Sequence, residues 1–99
     1  MKILIVDDER AIRNSLKEIL GDEGYGVDVA EDGATALAMV DKERYNVIFC
    51  DIKMPGMDGT EVLDKMVAEG IDSAIVMISG HGDIDTAVEC IKKGAFDFI

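Results

Sequence analysis

Residues 47–59 read VIFCDIKMPGMDG, and the organisation of the chain can be worked out from this segment. Its first four residues are apolar, which is the pattern of a strand buried on both faces of a parallel sheet. The run ends at an acid, Asp51, and the next eight residues include one proline and two glycines, which prevent a strand or helix from continuing. We therefore predict a central strand with a carboxylate at its carboxyl end, followed by a loop.

On either side of this strand, short apolar runs alternate with segments of helical periodicity. Such alternation favours right-handed crossovers, and therefore a doubly wound α/β fold with five parallel strands and helices on both faces. The other predicted strands are 3–6, 25–30, 74–78 and 95–99. The predicted helices run from Glu9 to Gly21 or Gly24, from Ala34 to Lys42, from a Thr60 cap to Gly70, and from an Asp83 or Asp85 cap to Lys93.

The composition restricts the class of protein. A chain of 99 residues, 48% hydrophobic and 31% charged, is long enough for one packed domain and too short for two. Its formal net charge of −11 would repel a phosphate backbone, so we expect no direct binding to nucleic acid. The apolar run near the N-terminus is too short for a signal peptide or a membrane span, so we expect a cytoplasmic protein with no membrane contact.

The two cysteines, Cys50 and Cys90, lie far apart, in apolar stretches, and without the spacing of a metal site. We therefore expect buried, reduced thiols and no disulfide.

Four polar residues follow directly on predicted strands. Asp7 and Asp8 follow the first strand, Asp51 the third and Ser79 the fourth. Because parallel strands end at the same edge of a sheet, these side chains should converge there, where ligands bind in doubly wound folds. Three carboxylates are suited to Mg²⁺, and without a cation at least one of them should resist ionisation. Asp51, at the end of the central strand, is the natural nucleophile toward phosphorus.

Each of these residues also has a simpler interpretation. Residues 7–9 could serve only to cap the first helix, and Asp51 only to begin a turn. His81 and Lys53 could influence the lifetime of a phosphorylated Asp51, or could be ordinary exposed residues.

The motifs D-D at residues 7–8, D-x-x-M-P-x-x-D-G at 51–59 and S-G-H-G at 79–82 together resemble the receiver domains of response regulators, over the whole chain. The resemblance implies a flavodoxin-like strand order, 2-1-3-4-5, and an Asp51 that accepts phosphate from a sensor histidine kinase. It also implies that Mg²⁺ is bound by Asp8 directly, by Asp7 more often through water, by Asp51 and by the backbone carbonyl of Lys53. The same pattern makes Ser79 the switch hydroxyl and Phe98 the switch aromatic.

The resemblance further implies a signalling role, in which the chain catalyses only its own phosphorylation and dephosphorylation. The surface from Asp83 to Ile99 would then be the contact for a dimer or an effector. The S-G-H-G segment with the following D-I-D-T-A-V resembles receivers of DNA-binding transcription regulators, particularly the nitrogen-regulation type. We therefore expect an output domain, not present in this chain, that controls transcription.

One feature departs from the family pattern. Receiver domains carry a lysine shortly after the fifth strand and then a last helix, whereas this sequence stops at Ile99. If that helix buries on the order of 400 Å² of apolar surface, it contributes at most ~10 kcal/mol at about 25 cal/mol per Å². We therefore expect residues 1–99 to be a receiver domain that is incomplete at its C-terminus, and to be unstable or to associate when alone.

Two other functions share some of these features. A phosphatase of the haloacid dehalogenase class also uses an aspartate nucleophile with Mg²⁺, but it needs a second acid two residues later, where this chain has Lys53, and a longer chain. A degenerate receiver would act as an interaction module without phosphorylation. Titration with Mg²⁺ and beryllofluoride distinguishes the degenerate receiver from a working one.

Overall fold

The computed structural model describes residues 1–80 and 84–99. Over these residues strands and helices alternate as predicted, with most boundaries within one or two residues of the expected ones. The fifth strand is shorter than predicted. The elements are β1 (Lys2–Val6), α1 (Arg10–Asp22), β2 (Gly26–Ala30), α2 (Gly33–Lys42), β3 (Val47–Asp51), α3 (Gly59–Ala68), β4 (Ala74–Ile78), α4 (Ile84–Lys93) and β5 (Asp97–Phe98).

All five strands form one parallel sheet in the order β2-β1-β3-β4-β5. This order confirms the predicted doubly wound fold. In the register of the sheet, Val6 pairs with Cys50 and Asp51 pairs with Ile78. The carboxyl ends of β1, β3 and β4 are therefore neighbours at one edge of the sheet.

The main core lies on the face of the sheet that α2, α3 and α4 cover. Ile48 and Cys50 of β3 point into this core and are buried, as are Leu63 and Met66 of α3. Both cysteines are buried free thiols, as predicted, and burial raises the pKa of the Cys50 thiol to about 12. The central strand is thus held in place by apolar packing up to the residue before Asp51.

The opposite face of the sheet is only partly covered. Its single described helix, α1, packs against β1 and β2, and none of the residues of α1 is buried. Ile12 and Ile19 of α1 are 37% and 59% exposed. We define the open face as the large apolar, half-buried residues of β3 and β4 that alternate with the core positions, namely Val47, Phe49, Val76 and Ile78.

The start of α3 corrects one prediction. The N-cap is Asp58 rather than Thr60, because the Asp58 carboxylate accepts the Glu61 N–H at 3.0 Å. Thr60 lies inside the helix, and its hydroxyl donates to the same carboxylate at 2.6 Å. In α4, Asp85 lies in the first turn instead of capping it, and Asp83 lies outside the described residues.

A polar cluster occupies the amino ends of the strands, away from Asp51. Tyr45 is buried, and its hydroxyl donates to Asp28 at 2.7 Å. Lys2 pairs with Glu43 and lies 5.9 Å from the centre of the Tyr45 ring. Burial first, and then the hydrogen bond with Asp28, raise the pKa of Tyr45 well above its usual value.

None of the described helices combines the length and the apolar character needed to cross a membrane.

Candidate metal centre

Three carboxylates meet at the carboxyl edge of the sheet. Asp7 and Asp8 follow β1 and Asp51 ends β3, and one oxygen from each lies within 4.8 Å of the others. Asp7 is buried, Asp51 is half-buried and Asp8 is exposed. The arrangement follows from the pairing of β1 with β3, which brings the ends of two apolar strands side by side.

Hydrogen bonds fix the turn after β1. The Asp7 N–H donates to the Ala30 carbonyl at 3.1 Å, and the Asp7 carboxylate accepts the Glu9 N–H at 2.9 Å. The Arg13 guanidinium donates to the Asp7 carbonyl at 2.8 Å. Glu9 is the N-cap residue of α1, but its side chain makes no capping hydrogen bond. These bonds hold the turn between β1 and α1, with the Asp7 carboxylate near Asp51 and bonded to the N-cap residue of the helix.

The acids are difficult to ionise together. Burial, and next the charge of Asp7, raise the pKa of Asp51 to about 6, although a hydrogen bond from the Lys53 N–H partly offsets the rise. Burial also raises the pKa of Asp7, and the neighbouring Asp8 adds to the rise, while the Glu9 N–H and Arg13 oppose it. The expectation that one carboxylate resists ionisation is confirmed, with burial as the larger cause.

Lys53 contributes to this site through its backbone. Its N–H bonds the Asp51 carboxylate, and its side chain is exposed. Its carbonyl remains a predicted ligand.

The two predicted switch residues lie on the β5 side of the sheet. Ser79 is 6% exposed, and its N–H and hydroxyl both donate to the Ile99 carbonyl, at 2.7 and 2.8 Å. Phe98 is half-buried, pairs with Met77 and packs against the core. The Ser79 hydroxyl is thus bonded to the backbone beside Phe98. His81 lies outside the described residues.

Arg13 is the residue that the sequence interpretation missed. In the helical periodicity of the sequence Arg13 falls on the polar side of α1, and nothing in that pattern shows that it reaches the end of β1. The available signal was its position near the start of a helix that follows two acids. A long, positively charged side chain at such a position can fold back toward the acids.

Chemically, the site offers oxygen ligands to a hard divalent cation and a carboxylate nucleophile in the same place. The donor set fits Mg²⁺, because that ion takes oxygen ligands and commonly uses one or two carboxylates.

Comparisons with known proteins agree with this geometry. The family model of the response regulator receiver domain matches residues 3–99. The chain is 50% identical to the nitrogen assimilation regulatory protein NtrX of Azorhizobium caulinodans, over 98% of this chain and 22% of that protein. It is 37% identical to the transcriptional regulatory protein FixJ of Bradyrhizobium diazoefficiens, over 98% of this chain and 47% of that protein. The crystal structure of the receiver domain of NtrX from Brucella abortus superposes with a TM-score of 0.92 at 43% identity, covering 98% of this chain and 82% of that one. The chain thus spans less than half the length of these two curated relatives.

Proposed function

This chain belongs to the response regulator receiver domains, and from that premise we propose that it is a phosphorylation switch with Asp51 as its acceptor. Receiver domains are signalling domains rather than metabolic enzymes. The observation that carries the proposal is the meeting of Asp7, Asp8 and Asp51 within 4.8 Å. The phosphoryl donor would be a phosphohistidine of a sensor histidine kinase in the cytoplasm.

In the proposed reaction, a carboxylate oxygen of Asp51 attacks phosphorus in line with the phosphohistidine nitrogen. A phosphorus–oxygen bond forms as the phosphorus–nitrogen bond breaks, and the leaving imidazole keeps the electron pair and takes up a proton. The product is an acyl phosphate on Asp51. The Lys53 N–H, which bonds the Asp51 carboxylate, would orient it for attack.

We assign the metal ligands to Asp7, Asp8, Asp51 and the Lys53 carbonyl. When bound, Mg²⁺ would offset the charge of the carboxylates and of the phosphoryl oxygens. Arg13 and the Glu9 N–H would hold Asp7 in position for that role.

The proposed switch moves Ser79. Its hydroxyl donates to the Ile99 carbonyl, and an acyl phosphate on Asp51 would offer it a charged acceptor instead. Phe98 would follow by turning inward. Ile84, Val88 and Ile91 form an exposed apolar stripe on the neighbouring α4, so the surface from α4 to Ile99 would change its affinity for a second copy or an effector.

The output that we propose is transcriptional, through a DNA-binding domain outside these 99 residues. The support is the similarity to a nitrogen assimilation regulator and a transcriptional regulator, both much longer than this chain.

The test is phosphorylation of the protein at its natural length by acetyl phosphate and Mg²⁺, followed by intact mass analysis. Wild type and the control Asp64→Asn, on exposed α3 surface, should each gain one phosphoryl group, whereas Asp51→Asn should gain none. A wild type that gains none, or an Asp51→Asn variant labelled equally, would overturn the proposal.

Beryllofluoride titration tests the degenerate-receiver alternative. The amide chemical shifts of Lys53 and Ser79 should move in the wild type and stay fixed in Asp51→Asn.

A further inference from the structure

The start of α3 packs directly on the backbone of the acceptor strand. Gly59, the first residue of α3, is buried, and its N–H donates to the Ile52 carbonyl at 2.7 Å. A Cβ on Gly59 would lie 2.1 Å from the Asp51 carbonyl oxygen and 2.8 Å from the Ile52 Cα. The absence of a side chain at residue 59 therefore allows the helix to touch the peptide that joins Asp51 to Ile52.

Space, rather than backbone conformation, requires glycine here. Gly59 is not among the described glycines with positive φ, so an alanine could adopt its backbone angles. The atoms that the Cβ would meet are backbone atoms, which cannot rotate away as a side chain can. Ordinary contacts begin at 3.4 Å, so an alanine would force the helix and the peptide apart by more than an ångström.

The peptide under Gly59 lies next to two of the proposed Mg²⁺ ligands. Asp51 is on one side of it, and Lys53, whose N–H bonds the Asp51 carboxylate, is two residues along. A shift of this peptide would move the acceptor carboxylate and the Lys53 amide relative to Asp7 and Asp8. Asp58 keeps Gly59 at the first position of α3, because its carboxylate caps the helix through the Glu61 N–H.

We propose that Gly59 is a positioning residue for the acceptor, setting the place of Asp51 and Lys53 by direct contact of α3 with the Asp51–Ile52 peptide. This inference rests on the proposed phosphorylation of Asp51. It adds that α3, through Gly59, sets the position of the acceptor.

Gly33 is a matched control within the same chain. It is also a buried glycine at the first position of a helix, and it also follows an aspartate N-cap, Asp32. A Cβ on Gly33 would lie 2.6 Å from a methyl group of Val62 and 3.0 Å from the Met57 sulfur. These are side-chain atoms, and none belongs to the Asp51–Ile52 peptide. Gly33→Ala thus introduces milder crowding, against side chains and away from the acceptor backbone.

The experiment compares wild type, Gly59→Ala and Gly33→Ala at natural protein length. Three quantities are measured: thermal stability, the Mg²⁺ dissociation constant by calorimetry, and the phosphorylation rate at varied acetyl phosphate concentration. Both variants should lose stability. Gly59→Ala should also weaken Mg²⁺ binding several-fold and slow phosphorylation on the order of 10-fold to 100-fold, as expected for a displaced reacting group. Gly33→Ala should keep both values within about twofold.

Equal effects of the two variants on Mg²⁺ binding and rate, or an effect of Gly59→Ala on stability alone, would overturn the inference while leaving the proposed function intact. A wild type that neither binds Mg²⁺ nor takes up phosphate would instead show that the proposed function itself is wrong.

A measurement on the wild type alone covers the case in which Gly59→Ala does not fold. Beryllofluoride and Mg²⁺ should slow hydrogen exchange of the Gly59 amide more than that of the Gly33 amide, because only Gly59 bonds the strand that carries the acceptor. Equal protection of the two amides would contradict the inference.

Discussion

At the scale of single residues, the acceptor is placed where its charge is costly. The folded protein raises the pKa of Asp51 from an ordinary 3.8 to about 6, through burial and then the charge of Asp7. For an acid whose folded pKa lies above its unfolded one, the stabilising contribution is complete below 3.8 and is lost as the pH rises through about 6. Metal-free protein near neutral pH is therefore destabilised by its own acceptor.

Because ionisation of Asp51 destabilises the folded protein, we predict that Asp51→Asn is more stable than the wild type at pH 7 without metal. The difference in the free energy of unfolding should become smaller as the pH falls toward 4. Urea unfolding in the presence of a chelator measures it, with Asp41→Asn, at an exposed position of α2, as the control. Added Mg²⁺ should stabilise the wild type more than Asp51→Asn, which lacks one of the proposed carboxylate ligands. A wild type as stable as the variant at pH 7 would count against this account of the site.

Arg13 supports a second prediction. Arg13→Gln removes the guanidinium that donates to the Asp7 carbonyl in a half-buried position, so it should lower the free energy of unfolding by about 1 to 2 kcal/mol. Lys17→Gln, one turn later on the exposed side of α1, should change it by less than about 0.5 kcal/mol. Equal effects in chemical denaturation would mean that the Arg13 bond contributes nothing.

The three acids of the site could be predicted from the sequence because each follows an apolar strand, and parallel strands end together. The extent of their burial could not. It depends on the packing around the strand ends, which the order of residues along the chain does not give. Arg13 was missed for a related reason, since periodicity says which side of a helix is polar but not what a long side chain on that side will meet.

At the scale of elements, the order and type of all nine described elements were predictable, because strands and helices show different apolar periodicities. The start of α3 was not. Asp58 and Thr60 are both good capping residues, and local sequence does not choose between them. The choice is made by Gly59, which packs on the Asp51–Ile52 peptide and so begins the helix one residue after Asp58.

The Asp58 cap leads to a third prediction. Asp58→Ala should cost about 1 kcal/mol of stability, because the Glu61 N–H loses its acceptor. The bonds from Thr60 and then Glu61 lower the pKa of Asp58, so its contribution is present above the ordinary pKa of 3.8 and disappears as the pH falls through the lower folded value. Urea unfolding at pH 7 and pH 2 measures both effects. Asp41→Ala, near the carboxyl end of α2, should be neutral or slightly stabilising.

At the scale of the whole molecule, the two faces of the sheet are unequally covered. The face with α2, α3 and α4 holds the core, while the open face and α1 leave apolar side chains partly exposed. We predict that the 99-residue polypeptide, produced alone, associates in a concentration-dependent manner, which sedimentation velocity detects.

Two charge substitutions identify the surface responsible. Ile19→Glu, on α1, should reduce the association, whereas Ile84→Glu, on α4, should leave it unchanged. The reverse result would place the contact on α4.

Because Tyr45 is separated from the acidic cluster, the ultraviolet absorbance of the protein's own tyrosines can be used to follow unfolding. The chain has two tyrosines and no tryptophan, and Tyr45 is buried and bonded to Asp28 whereas Tyr25 is 38% exposed. In alkaline solution the Tyr45 phenolate should appear only as the chain unfolds, because burial and the bond with Asp28 raise the pKa of Tyr45. Ultraviolet absorbance of phenolate can therefore report loss of structure at the amino ends of the strands, independently of what is bound at their carboxyl ends.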